Sequence, residues 1–156
     1  MKKLVILLLG AIIGVSAFAK IPAAGLQSLL TNYIEIKNAL IAGDAATAST
    51  KAAAFAKAVA SEDSKTFPAG LQHKLSASAT SIAESKDIAK QRTTFSGFSD
   101  DMIKLVKAAK PTGSAVYIDY CPMKKASWLS EEEEIKNPYY GDAMLSCGSV
   151  KETIKP

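Results

Sequence analysis

Apolar residues recur along the first two thirds of this chain with the spacing of one helix face. After Pro22, the residues Leu26, Leu29, Leu30, Tyr33, Leu40 and Ile41 follow i, i+3, i+4, i+7, with Lys37 interrupting the stripe, which predicts a helix over 23–42. Gly43 ends it, and Asp44 is placed to accept from the free N–H groups of a second helix, 45 to about 60. That helix is alanine-rich, with Phe55 and Val59 as its larger anchors. The polar SEDSKTF leads to Pro68, suited to the first turn of a third helix over 69–85 with Leu71, Leu75, Ala79 and Ile82 on its apolar face. A fourth periodic stretch over 88–109 uses Ile88, Arg92, Phe95, Met102, Leu105, Val106 and Ala109 and stops before Pro111. Gly97 in its middle costs about 1 kcal/mol relative to alanine and permits a bend. Four helices with short connections predict an all-α fold, an up-down antiparallel four-helix bundle.

The pattern changes after Pro111 and Gly113. AVYIDYC, 115–121, has the period of two and the β-branched and aromatic content of a strand, and 149–154 is a weaker strand candidate. Paired antiparallel, they make a two-stranded ribbon in a small irregular C-terminal cap, 113–156, and the end of the first lies beside the start of the second. Cys121 then neighbours Cys147 for topological reasons. Between the strands, Ser130 and Glu133 have the spacing in which each side chain satisfies a backbone N–H at a helix start, predicting a short capped helix ended by Asn137-Pro138. A second short helix fits Asp142 as its N-cap and Gly148 as its stop.

The first residues change the compartment. Lys2 and Lys3, an apolar run from Leu4 to Val15 and the small-x-small Ala17-Phe18-Ala19 form a secretory signal peptide, 1–19. The run is shorter than the roughly 20 residues of a spanning helix, so no membrane insertion is expected after cleavage. The mature chain, 20–156, is read as one domain in the periplasm of a Gram-negative envelope. Without Lys2 and Lys3, Lys+Arg falls from 19 to 17 against 15 Asp+Glu. A charge near +2 is no nucleic-acid footprint. One histidine and scattered carboxylates do not assemble a nucleophile, a base and an orienting group, so the chain reads as a binding protein and not an enzyme.

The chemistry gathers in CPMKKASWLSEEEEIKNPYYGDAMLSCG, 121–148, which holds both cysteines, two of the four methionines and the only tryptophan. In an extended Cys121-Pro122-Met123 the two sulfurs project to one side. In a helical turn, Met144 and Cys147 are three apart and share a face. Thiolate with thioether is a soft donor set suited to Cu(I) or Ag(I). The same two cysteines in an exported protein also fit a disulfide staple, closing a loop of about 26 residues for roughly 3 kcal/mol, with the methionines as core filler. Four consecutive glutamates point around a helix and do not converge on a calcium or acid–base site.

The segments VYIDYCPM, WLS, EIKNPYYGDAMLSCG and, upstream, DIAKQRTTFSGFS together resemble a bacterial domain of unknown function. That domain occurs as a small exported protein and fused to membrane-fusion subunits of copper and silver efflux pumps. The resemblance implies heavy-metal handling in the envelope, marks Cys121, Met123, Met144 and Cys147 as metal ligands, and makes a membrane-fusion protein of such a pump the expected partner. Among other residues, His73 lies opposite Leu71 and Leu75 on its helix and is expected to face solvent. Trp128 fits a packing anchor better than a lid over a cation. Tyr139 and Tyr140 fix the turn or form an exposed docking pair, and Asp87 and Arg92 orient the junction of helices three and four.

Overall fold

The computed structural model describes residues 21–111 and 113–156; the signal peptide expected at 1–19 lies outside the described residues. The helical positions follow the periodicity. Helix α1 (Ala23–Ile41) buries Leu26, Leu29, Leu30, Tyr33, Ile36 and Leu40, and also Lys37, the residue that interrupts the stripe. Gly43 supplies the left-handed turn at φ 72°, and Asp44 N–H donates back to the Ala39 carbonyl at 2.9 Å. Asp44 then caps helix α2 (Ala45–Ser61), accepting from Thr47 N–H at 2.9 Å and from the Thr47 hydroxyl at 2.7 Å. Helix α2 buries Ala48, Ala52, Phe55 and Val59 and packs against both of its neighbours in sequence.

Helix α3 (Leu71–Glu84) starts later than Pro68 predicts. Gly70 sits at φ 72°, a left-handed conformation that no helix continues through, so Pro68 instead accepts from Leu71 N–H in a turn. A short 3-10 turn, Ser64–Thr66, precedes it. The predicted face Leu71, Leu75, Ala79 and Ile82 is buried. Helix α4 (Ile88–Ala109) runs continuously through Gly97, capped by Asp87, which accepts from Ala89 N–H at 2.8 Å. Helix α3 packs on α4, and α1 also meets α4. At their centre Tyr33 stacks on Phe95 at 5.2 Å and Phe55 meets Phe98 edge-on at 4.8 Å. Such pairs add about 0.5–1.5 kcal/mol each beyond the area they bury.

The cap contains three strands and not two. Strand β1 (Val116–Cys121) pairs with β2 (Ala126–Ser130) on one side and with β3 (Ser149–Ile154) on the other, both antiparallel, in the order β2-β1-β3. The unpredicted strand, ASWLS, is short and follows a turn without glycine, Pro122–Lys125, in which Lys125 takes the positive φ of 55°. Its last residue, Ser130, therefore caps no helix. Its hydroxyl donates to the Glu132 carbonyl at 2.9 Å and accepts Glu132 N–H at 3.1 Å, a side-chain turn that leads the exposed glutamates away as bends. The second predicted short helix is a 3-10 turn, Gly141–Met144, with Asp142 inside it and not capping it.

Two buried polar groups join the helices to the cap. The Tyr33 hydroxyl accepts Leu129 N–H at 3.1 Å and shares a 2.7 Å hydrogen bond with Ser99, and burial holds its pKa well above the ordinary tyrosine value. Lys37 Nζ donates to the Ser130 hydroxyl at 3.5 Å, with burial lowering its pKa. Arg92 donates to the Leu40 carbonyl at 2.8 Å, tying α4 to the end of α1 and not to α3. Gly141, at φ 55°, is pressed against the same place: a Cβ there would lie 2.8 Å from the Ile41 carbonyl oxygen.

Candidate metal and thiol centre

Pairing of β1 with β2 is regular, Asp119 opposite Trp128 and Cys121 opposite Ala126. Strand alternation therefore places Asp119, Cys121, Ala126, Trp128 and Ser130 on one face. The 131–148 segment packs over that face. Tyr139 meets Trp128 edge-on at 5.9 Å, and its hydroxyl donates to the Ser127 carbonyl at 2.5 Å. Gly148 lies so close to Trp128 that a Cβ would stand 2.8 Å from the indole Cη2. Tyr139 is buried, which removes the exposed tyrosine pair from consideration as a docking patch, and Trp128 is the packing anchor expected of it.

Asn137 organises the return of the chain. Its N–H donates to the Leu145 carbonyl at 2.8 Å, its side-chain amide donates to the Cys147 carbonyl at 2.7 Å, and its Oδ1 accepts Tyr139 N–H at 2.8 Å. With Cys147 held so, and with Ser149 opposite Tyr120 in the β1–β3 ladder, the two cysteine sulfurs stand 2.8 Å apart. The tight turn after β1 closes the other side, Lys125 N–H donating to the Cys121 carbonyl at 2.8 Å.

The two thiols differ. Burial pushes the Cys121 thiol up, but the hydrogen bond from Cys147, the N–H groups of Lys124 and Met123 and the Asn137 amide together outweigh it, and its pKa falls below the ordinary value. Donating to Cys121 raises the Cys147 thiol, and burial adds to the rise. Of the two, Cys121 is the one that gives up its proton first. Cys121 is fully buried, whereas Cys147 is partly exposed.

The methionines marked by the sequence do not enter the core. Met123 is 67% exposed on the turn that follows Cys121, and Met144 is 37% exposed at the end of the 3-10 turn. Met144 remains tied to Cys147, whose N–H donates to its carbonyl at 3.1 Å. Leu145 and Val150 are exposed as well. His73 faces solvent, Glu132 and Glu134 are paired by Lys136, and among the described residues no three His, Cys, Asp or Glu side chains gather as metal donors. Two thiols, with thioether side chains exposed in the same segment, are by chemical type a donor set suited to soft monovalent ions.

One group escaped the sequence reading. Asp119 is fully buried two residues before Cys121, with neither oxygen hydrogen-bonded, and Trp128 Nε1 opposite it is also without a partner. Burial raises the carboxyl to about 6, against the opposing pulls of the Lys37 ammonium and of the indole N–H, which lies near without forming a well-aligned bond. The only local signal was an aspartate of the same parity as Cys121 in the predicted strand 115–121; its burial follows from the unpredicted strand β2.

Residues 29–114 match the model of a family described as a protein of unknown function (DUF3347). The match runs from within α1 to just beyond α4, and the Cys and Met segment lies beyond its end. Comparison with curated proteins and with solved structures found no match.

Proposed function

Because the chain belongs to the DUF3347 family, whose description assigns no activity, we propose from its own residues that it is a periplasmic accessory protein that binds copper or silver. In this reading it serves heavy-metal efflux or homeostasis as a binding protein and not an enzyme. Cys121, Met123, Met144 and Cys147 would hold Cu(I) or Ag(I), the ion supplying no chemistry beyond being carried. The observation that carries the reading is the combination of two thiols at 2.8 Å with two methionines left in solvent. Methionines serving as core filler would be buried, and these are not.

The chain's own residues supply the selectivity. Asn137 fixes the Cys147 backbone, the hairpin turn fixes Cys121, and the N–H groups around Cys121 favour the thiolate that a soft ion requires. Consecutive helices packed through short connections support an up-down antiparallel bundle behind this cap. The resemblance of the cap motif to domains fused to efflux subunits supports a membrane-fusion protein as partner, and Lys2, Lys3 and the apolar run support export. The test is competition between reduced protein and a Cu(I) chelator. Wild type competes, Cys121→Ser and Cys147→Ser do not, and Met123→Leu and Met144→Leu compete less well. Cysteine variants that compete as well as wild type would refute the site.

The same sulfur separation favours a second reading, a Cys121–Cys147 staple in a helical module that docks on an envelope partner without metal. Protein purified without reductant would then contain no titratable thiol.

A further inference from the structure

The cap brings its two cysteine sulfurs within reach of a bond. The β1–β3 ladder places Tyr120 opposite Ser149, and the Asn137 side chain grips the Cys147 carbonyl at 2.7 Å. Covalently joined sulfurs lie about 2.05 Å apart, so a bridge requires a movement of under about 1 Å from the 2.8 Å separation. A staple is needed where parts would otherwise separate. Here hydrogen bonds, strand pairing and the contact of Gly148 with Trp128 already hold them.

Access to the two sulfurs is unequal. Cys121 is fully buried and Cys147 is partly exposed, so an outside thiol reaches Cys147. The large hydrophobic residues that are exposed among the described ones, Met123, Met144, Leu145 and Val150, all belong to this cap and flank the pair in sequence. They offer an approaching thiol peptide exposed apolar side chains within the same cap.

We propose that Cys121 and Cys147 form a reversible dithiol–disulfide centre that exchanges with a dithiol protein through Cys147, a reaction that goes beyond ion binding and does not depend on it. In the oxidised form a partner thiolate attacks Cys147 Sγ. The Cys121–Cys147 bond breaks as the mixed disulfide forms, and the electron pair leaves on Cys121 Sγ. The partner's second thiolate then attacks the partner sulfur of the mixed disulfide and releases Cys147 as a thiolate. The partner dithiol has lost two electrons and two protons, and the Cys121–Cys147 pair has gained both. A second disulfide, such as glutathione disulfide, returns the pair to the oxidised form by the reverse steps.

The experiment equilibrates folded wild-type protein, without metal, in glutathione and glutathione disulfide at stepped ratios, traps thiols by alkylation and weighs the products. The expected result is that both sulfurs convert together and that the same curve is reached from the oxidised and the reduced side. A pair that stays bridged in a large excess of glutathione, or stays reduced in a large excess of glutathione disulfide, overturns the proposal. The single-cysteine variants test the direction of attack. Cys121→Ser, with Cys147 free, forms a glutathione adduct at least tenfold faster than Cys147→Ser, and a smaller advantage overturns the assignment of Cys147. The wild-type equilibrium requires no variant, so misfolding of either one leaves the proposal falsifiable. Loss of Cu(I) competition alone would refute the metal reading and leave this one standing, and the converse holds.

Discussion

Replacing Asp119 by asparagine should change how stability depends on pH more than it changes the fold. Burial raises the Asp119 carboxyl from an ordinary 3.8 to about 6, so the folded state holds its proton over a range in which the unfolded chain releases it. Stability from this group is fully present below about pH 4 and is lost as pH rises through about 6. A difference of that size corresponds to at most about 3 kcal/mol, and to about 2 kcal/mol once solvent screening of the carboxyl is allowed for. Asp119→Asn has no proton to lose. Urea unfolding at pH 4 and at pH 7 should therefore show wild type losing about 2 kcal/mol relative to the variant between the two. Taking the difference removes groups of opposite sign, such as Glu132, whose pKa is lowered by its hydrogen bond to Lys136. Trp128, the only tryptophan, lies opposite Asp119 in the ladder and reports the same event by fluorescence. Its emission should titrate near pH 6 in wild type and not in the variant. A wild-type stability difference that is flat across this range, or a fluorescence change that survives Asp119→Asn, would refute the buried, unpartnered carboxyl.

Two further substitutions test how the cap is held. Tyr33→Phe strands the Leu129 N–H and the Ser99 hydroxyl in the core and should cost about 2–3 kcal/mol in urea unfolding, with Ser99→Ala adding less than its own separate cost. A loss below about 0.5 kcal/mol would mean that the hydroxyl does not join helices to cap. Gly148→Ala, at φ 149° and against Trp128, should cost roughly 2 kcal/mol and slow bridge formation between Cys121 and Cys147, followed by alkylation trapping. An unchanged bridging rate would separate the position of Gly148 from that of the sulfurs.

The helices were legible because their signals are local. Leu71, Leu75, Ala79 and Ile82 announce one face by spacing, and Asp44 announces a helix start by type. Strands β1 and β3 were legible too, and with them the meeting of Cys121 and Cys147. The errors arose where one local pattern serves two structures. Ser130 and Glu133 have the spacing of a helix cap, but pairing with β1 claims Ser130 as the end of a strand. Nothing between Met123 and Ala126 has the glycine or asparagine that marks a two-strand turn, and Lys125 takes the positive φ instead. Lys37 looked like a break in a helix stripe because its partner Ser130 lies 93 residues away. The position of Asp119 depends likewise on strands paired across the chain. The exposure of Met123 and Met144 could not be read from spacing, which shows shared faces and not whether a face is covered.

The central claim, an all-sulfur site for a soft monovalent ion, is tested most directly by copper-edge X-ray absorption on the reduced protein loaded with one equivalent of Cu(I). The account predicts sulfur neighbours alone, the two thiolates with at least one thioether, and a spectrum that changes when Met123 and Met144 are replaced by leucine. Nitrogen or oxygen neighbours, or a sulfur spectrum that persists in the Cys121→Ser, Cys147→Ser double variant, would contradict it.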